Sequence, residues 1–230
     1  VVALSSLPQL EAGEQQGYRL VNSKFPPIHL FDDVASADEF QALHELQALI
    51  NPRLRAEVGD LSLLPIEEIP FDTPGCSYAV APFTHVNPAG SRFSSGEYGV
   101  LYIADAMATA LSEVRHHQEG YWRNLPDLNY ERFVLRGLKC RFHEIAMLDA
   151  LGLPATHPIY DPDDYTAART LGKSVKRAGL PGLRYRSVRR PGAACWALLT
   201  PKPVVSMVQN AHYEMVWNGT ITGVNRLSSP

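Results

Sequence analysis

The sequence predicts an α+β fold with mixed or largely antiparallel sheets. Apolar segments rich in Val, Ile, Leu and aromatic residues cluster at both ends of the chain. Two or three amphipathic helical patterns interrupt them, without the regular strand–helix alternation of a doubly wound parallel sheet. With 230 residues, 45% of them hydrophobic and 20% charged, the chain can bury one full core. A tail over residues 1–16 and a single domain over 17–230 are expected.

The N-terminal stretch VVALSSLPQLEAGEQQG lacks a basic start and a long apolar centre, so it reads as a frayed tail and not as a signal peptide. Gly17–Ser23 reads as a first strand carrying Arg19. An Arg inside a strand points to solvent, to a partner acid or to an anionic ligand. Lys24–Asp33 is a Pro-broken loop. Ser36 with Glu39 forms a capping-box pattern ahead of an apolar face of Phe40, Leu43, Leu46 and Ile50, and Asn51-Pro52 stops that helix. Leu54–Leu61 continues as a shorter helix. Five prolines between Pro65 and Pro88 restrict the next stretch, where Ser77–Thr84 reads as an edge or bulged strand around Pro82.

The most informative stretch is Ser91–Gln118. A polar loop punctuated by Gly96 and Gly99 leads into a strand over Tyr98–Ala104. Asp105 reads as an N-cap, and Met107, Ala110, Leu111 and Val114 fall on one helix face. If the helix folds back along its strand, Glu113 lies ~12 Å back at ~1.5 Å per residue and Tyr102 ~10 Å back at ~3.3 Å per residue. The two side chains come level. Tyr102 is out of phase with Leu101 and Ile103, so it points to the other sheet face.

Glu119–Asn129 reads as a loop, Tyr130–Arg136 as a strand and Cys140–Leu148 as a second short strand or bend. Asp163 and Asp164 form an N-cap cluster for a helix that buries Ala168, Leu171, Val175 and Ala178, with Gly179 closing it. Gly182–Arg190 and Ala193–Leu199 read as strands. In the first of these Arg184 and Arg186 share one face, and Tyr185 and Ser187 the other. Asn218-Gly219 between His212–Trp217 and Thr220–Val224 is a type I′ hairpin signal.

Composition excludes several classes. A net charge of −3 gives no electrostatic case for nucleic-acid binding. No apolar run reaches the ~18 residues of a membrane span. Cys76, Cys140 and Cys195 are odd in number and without a C-x-x-C, which suits a reduced cytoplasmic protein. His143-Glu144 lacks the second His of a zinc-protease motif, and the single Glu113/His116/His117 set falls short of a di-iron site, so no metal is expected. Neither a dinucleotide-binding glycine fingerprint nor a P-loop occurs. Ser187 has no G-x-S-x-G around it.

Four ordered blocks carry a family resemblance: HVNPAGSRFSSGEYGVLYIADAMATALSEVRHH, YDPDDYTAARTLGKSVKRAG, RYRSVRRPGAACWALL and HYEMVWNGTI. Together they closely resemble the signature of RES-domain proteins, in the longer ParT-like form, from about Tyr18 onward. The family is named for an Arg, a Glu and a Ser, which fall here on Arg92, Glu113 and Ser187. Tyr102 matches the family's strand Tyr, and Arg19 an upstream Arg. The resemblance implies an ADP-ribosyltransferase-like fold and a cleft that binds NAD+ as substrate. It implies the toxin of a bacterial toxin–antitoxin pair, blocked by a helix-turn-helix (Xre-like) antitoxin over the cleft. It also implies either transfer of ADP-ribose to a protein or destruction of NAD+ with water or phosphate. In that frame Glu113, Arg92 and Tyr102 are the candidate catalytic residues, and Arg19, Arg92, Tyr102 and Ser187 the candidates for holding NAD+. A non-catalytic binding module is the alternative of another class.

Overall fold

The computed structural model describes residues 2–11, 13–24, 31, 32, 34, 36–50 and 58–228. Most of the Pro-broken loop at 25–33, the Asn51-Pro52 stop and the start of the Leu54–Leu61 segment lie outside the described residues. In chain order the elements are β1 (Glu14–Asn22), α1 (Ala37–Ile50), α2 (Cys76–Thr84), β2 (Leu101–Ala104), α3 (Met107–Arg123), β3 (Glu131–His143), β4 (Leu148–Asp149), α4 (Thr166–Arg177), β5 (Gly182–Arg186), β6 (Ala194–Leu198), β7 (Val204–Trp217) and β8 (Ile221–Ser228).

The eight strands form one sheet in the order β4-β5-β6-β2-β1-β3-β7-β8. All pairs are antiparallel except β4 with β5. The fold is therefore α+β, as the strand-rich ends of the sequence imply. One face of the sheet carries α3 and α4, packed through Ala110, Trp122, Ala168, Leu171 and Val175. The other carries α1 and α2, through Phe40, Ala79, Val80 and Phe83. Leu101 and Ile103 belong to the second core and Tyr102 packs on the first, so β2 alternates as its sequence requires.

β3 is longer than its sequence suggests. Phe133 and Leu135 face the first core, whereas Leu138, Cys140 and Phe142 face the second. Burial passes from one face to the other near Gly137, so the apolar period breaks although the strand does not. β7 follows through a bulge: Gly137 pairs with Ala211 and Leu138 with Gln209, which leaves Asn210 as the extra residue. The separate strand or bend expected at Cys140–Leu148 is thus the end of β3 followed by the two-residue β4.

The β1–β2 junction shapes the site. β1 pairs with β3 along its whole length but meets β2 only at Tyr18 and Ala104. Gly17 permits that approach, because a Cβ there would lie 2.3 Å from Ile103 Cγ2. Beyond Tyr18 the two strands lose their pairing, and Arg19 Nη1 donates to the Tyr102 carbonyl at 3.1 Å.

Several local expectations are corrected. Ser77–Thr84 is helix α2 and not a strand. Residues 2–10 pack onto the sheet where a tail was expected: Leu7 is buried, and Leu10 N–H donates to Met147 O at 2.7 Å. α3 runs on to Arg123, into the first part of the Glu119–Asn129 segment expected as loop. In α1 the Ser36 Oγ cap on Glu39 N–H is present at 3.3 Å, but Leu46 is exposed. Asn218-Gly219 does turn a hairpin. Trp217 pairs with Ile221, however, and only Gly219 has positive φ, so the loop has three residues and is not type I′.

The helix at Asp163/Asp164 starts one residue later than expected, with Asp164 Oδ1 accepting from Thr166 N–H at 2.8 Å. Gly179 closes it as expected, but Ala178, expected on the buried face, is exposed. Gly179 has φ 68, and Gly179 and Leu180 N–H donate to Lys176 O and Val175 O, a Schellman closure.

Candidate active site

Ser91–Ser94 form a tight loop held by its own backbone. Ser91 N–H donates to Ser94 O at 2.7 Å, and Tyr98 OH donates to Phe93 O at 2.7 Å. Phe93 is fully buried, edge-on to Tyr185 with ring centroids 4.8 Å apart. α4 comes against this loop at Gly172, where a Cβ would stand 2.0 Å from Phe93 O. From the same helix Arg169 donates to Ser91 O at 3.0 Å and to Ala89 O at 2.9 Å.

Tyr102 reaches into the loop from β2. Its hydroxyl accepts from Phe93 N–H at 3.0 Å and shares a 2.8 Å bond with Ser91 Oγ. Arg92, 9% exposed, turns to the segment ahead of α4. Its Nη1 donates to Ile159 O and Asp161 O at 3.1 and 2.8 Å, and its guanidinium stacks 4.4 Å from the Tyr165 ring. Arg92 therefore clamps the 159–165 loop to the 91–94 loop.

Glu113 extends from α3 toward the end of β5. Its Oε1 accepts from Ser187 Oγ at 2.6 Å. Ser187 is buried, and its Oγ also accepts from the N–H groups of Arg190 and Arg189 at 3.0 and 3.3 Å. Between this pair and Tyr102 sits Tyr185. Burial pushes its phenol well above the usual range, and Cys195, Tyr102 and Glu113 add to the shift. Cys195 is buried, and its thiol is pushed up first by burial and then by the Glu113 charge.

The structure thus brings Glu113 and Ser187 into direct contact, and places Tyr102 and Arg92 around the same buried Tyr185. Arg19 approaches from the back of β2. Beside it lies a cavity of about 140 Å³ lined by Arg19, Ser91, Ser94, Tyr98 and Tyr102 among others. Arg19 Nε is buried without a hydrogen-bond partner among the described residues.

Arg184 and Arg186 do not join the site. Arg184 pairs with Asp149 at 2.7 Å and approaches Glu144 at 3.7 Å, and Arg186 donates to Leu151 O at 3.0 Å. Glu144 is a structural carboxylate, accepting from Gln15 Nε2 at 2.8 Å and Trp196 Nε1 at 3.0 Å. Burial pushes His116 below its ordinary value, and the Arg189 charge acts in the same direction. Among the described residues no group of three His, Cys, Asp or Glu side chains could share a metal ion.

Sequence reasoning passed over Ser91, Tyr165 and Arg169. Ser91 adjoins Arg92, and the other two lie in the YDPDDYTAART block, but their roles come from loops that meet only in the fold. Asp105 was misassigned. The N-cap of α3 is Ala106, with no side-chain cap bond. Asp105 instead accepts from Thr109 Oγ1 at 2.6 Å and from Ala194 N–H at 2.8 Å.

Burial pushes the Tyr102 phenol up to about 12. The unfolded value is about 10, so folding favours the neutral phenol. The stability this gives is present below pH of about 10 and is lost as the pH rises through about 12. In an alkaline titration followed by tyrosinate absorbance, Tyr102→Phe should remove one late-titrating group and leave the early ones unchanged. Loss of a group titrating near 10 would contradict this burial.

Comparison with known proteins agrees with these blocks. The RES domain profile matches residues 69–218. Over 209 residues the chain is 31% identical to the uncharacterized protein y4oC of Sinorhizobium fredii, covering 88% of this chain and 83% of that protein. A chain in the crystal structure of the M. tuberculosis MbcT–MbcA toxin–antitoxin complex aligns over 53% of this chain and 72% of its own, with 14% identity and a TM-score of 0.39. On the profile match and the curated relative, the chain belongs to the RES domain family.

Proposed function

We propose that this site binds NAD+, breaks its nicotinamide–ribose bond and transfers ADP-ribose to a protein, and that the chain acts as the toxin of a toxin–antitoxin pair. The observation that carries the reading is the Glu113–Ser187 bond of 2.6 Å. When the glycosidic bond breaks, its electron pair leaves with nicotinamide, which departs neutral from a cationic pyridinium. Positive charge develops at the ribose C1′, as in an oxocarbenium-like transition state. A fixed carboxylate facing that carbon stabilises the charge, and Ser187 holds the Glu113 carboxylate in one orientation. The acceptor nucleophile then bonds to C1′ and releases its proton. No leaving-group acid is needed.

Tyr102 offers its ring face to nicotinamide, while its hydroxyl is held by Ser91 and Phe93. Arg19 would face the diphosphate. A buried guanidinium with an unpartnered Nε is costly, and an anion would offset that cost. Arg92 already serves the 159–165 loop, so its part in binding would run through the shape of that loop as well as its charge. The complex named for the M. tuberculosis structure pairs a toxin with an antitoxin. An antitoxin of helix-turn-helix type is the partner proposed here, seated over the cleft mouth. Cys76, Cys140 and Cys195 are free and buried, which supports a reducing compartment such as the cytoplasm.

The test is incubation of the purified protein with adenine-labelled NAD+ and bacterial lysate, read by gel autoradiography and by NAD+ quantification. A discrete labelled protein band with modest NAD+ loss is expected. Rapid NAD+ loss without a band would replace transfer by hydrolysis or phosphorolysis. Neither a band nor NAD+ loss would overturn the enzymatic reading in favour of a binding module.

A further inference from the structure

The Glu113–Ser187 pair joins two elements that are far apart in sequence, α3 and the end of β5. A 2.6 Å contact between them requires both to be placed from a common reference. The side chain of Asp105 connects to both.

One oxygen of Asp105 accepts from Thr109 Oγ1 at 2.6 Å. Thr109 is fully buried in the first turn of α3. Thr109 and Glu113 are four residues apart in α3, so they lie along one side of the helix about one turn apart, and Asp105 holds Thr109 from just ahead of the helix. The Asp105–Thr109 bond therefore fixes the rotation of α3 about its axis, and with it the direction in which Glu113 points.

The other oxygen accepts from Ala194 N–H at 2.8 Å, and Asp105 N–H donates to Ala194 O at 3.0 Å. This double contact secures the first residue of β6 to the end of β2. The neighbouring residue, Ala193, accepts from Ser187 N–H at 2.9 Å. Ser187 is thus one hydrogen bond and one peptide unit away from the group that Asp105 holds.

We propose that Asp105, acting through Thr109 and Ala194, is the positioning residue that sets the Glu113–Ser187 geometry. It does not touch substrate; its effect on turnover rests on the NAD+-cleaving role proposed above. Misplacing a reacting group by about 1 Å can cost on the order of a hundredfold in rate. Asn suits the same place, because its carbonyl oxygen can accept from Ala194 N–H while its amide donates to the Thr109 hydroxyl. Ala offers neither bond. Thr109→Val keeps the volume at the buried position and removes only the hydroxyl.

The experiment compares Asp105→Ala, Asp105→Asn and Thr109→Val with the wild type in two assays. The first is a crystal structure of each variant, read at the Glu113 Oε1 to Ser187 Oγ distance. The second is NAD+ cleavage, with kcat and KM separated and the folded fraction fixed by circular dichroism. Asp105→Ala and Thr109→Val should open the Glu113–Ser187 contact beyond hydrogen-bond range and lower kcat on the order of tenfold or more, with KM within about twofold. Asp105→Asn should restore both readings to near wild type. Should Asp105→Ala fail to fold, Thr109→Val carries the comparison. An intact contact and wild-type kcat in Thr109→Val would overturn the proposal. A wild type that cleaves no NAD+ would overturn the proposed reaction instead, while the crystallographic distance still decides the positioning role.

Discussion

Glu113→Gln should lower NAD+ cleavage by on the order of a thousandfold while leaving the fold intact. The two effects separate because Gln retains the oxygen that accepts from Ser187 Oγ and loses only the negative charge. A thousandfold loss corresponds to about 4 kcal/mol of transition-state stabilisation. KM should change little, since the charge at C1′ exists only in the transition state. In cells the same substitution should abolish growth inhibition. Ser187→Ala makes a useful contrast. It removes the donor to Glu113 and also the acceptor for the N–H groups of Arg189 and Arg190, so it should lower both rate and stability. Nicotinamide release, followed chromatographically beside a thermal melt, measures both. A Glu113→Gln protein with wild-type turnover would remove Glu113 from the chemistry.

Gly75→Ala should destabilise the protein by about 3 kcal/mol or more. Gly75 caps the start of α2 with φ 76 and ψ 33, a left-handed conformation that costs a residue with a Cβ about 1 kcal/mol or more. A Cβ there would also stand 1.8 Å from Met207 O, in the backbone of β7. Neither partner can yield, because Met207 N–H donates to Pro74 O at 2.8 Å and fixes β7 against the same turn. For a chain of this length the melting temperature should fall by roughly 10 °C. Calorimetry on the purified variant checks it, and a melting temperature within about 2 °C of wild type would contradict the packing of α2 onto β7.

Gly75 also explains the clearest misreading of the sequence. Ser77–Thr84 carries Val, Tyr, Phe and a proline, which suggests an edge strand. Helical identity there depends on Gly75 turning the chain and on Ala79, Val80 and Phe83 being buried against the sheet, and neither signal is local to the segment. By contrast, the β2–α3 unit was legible because its periods change from two to 3.6 within one stretch. The phase argument that set Tyr102 against Leu101 and Ile103 needed nothing beyond alternation. β3 was split because its burial changes face near Gly137, which a periodicity window reads as an end.

The candidate site divides along the same line. Glu113 and Ser187 lie in blocks that resemble the RES signature, and Tyr185 beside them follows from strand alternation. The function of Asp105 was hidden. A carboxylate before a helix suggests a cap, and only the sheet order, which places β6 next to β2, gives it Ala194 as a partner. The latch formed by Arg92, Tyr165 and Arg169 was hidden for a similar reason. Its partners are backbone carbonyls at 89, 91, 159 and 161, which no side-chain pattern reveals.

The most direct test of the account is a crystal structure of Glu113→Gln with NAD+ bound. The account predicts nicotinamide against the Tyr102 ring, the ribose C1′ within about 4 Å of the residue 113 carboxamide, and the diphosphate toward Arg19. NAD+ bound elsewhere, or density for none at saturating concentration, would contradict it.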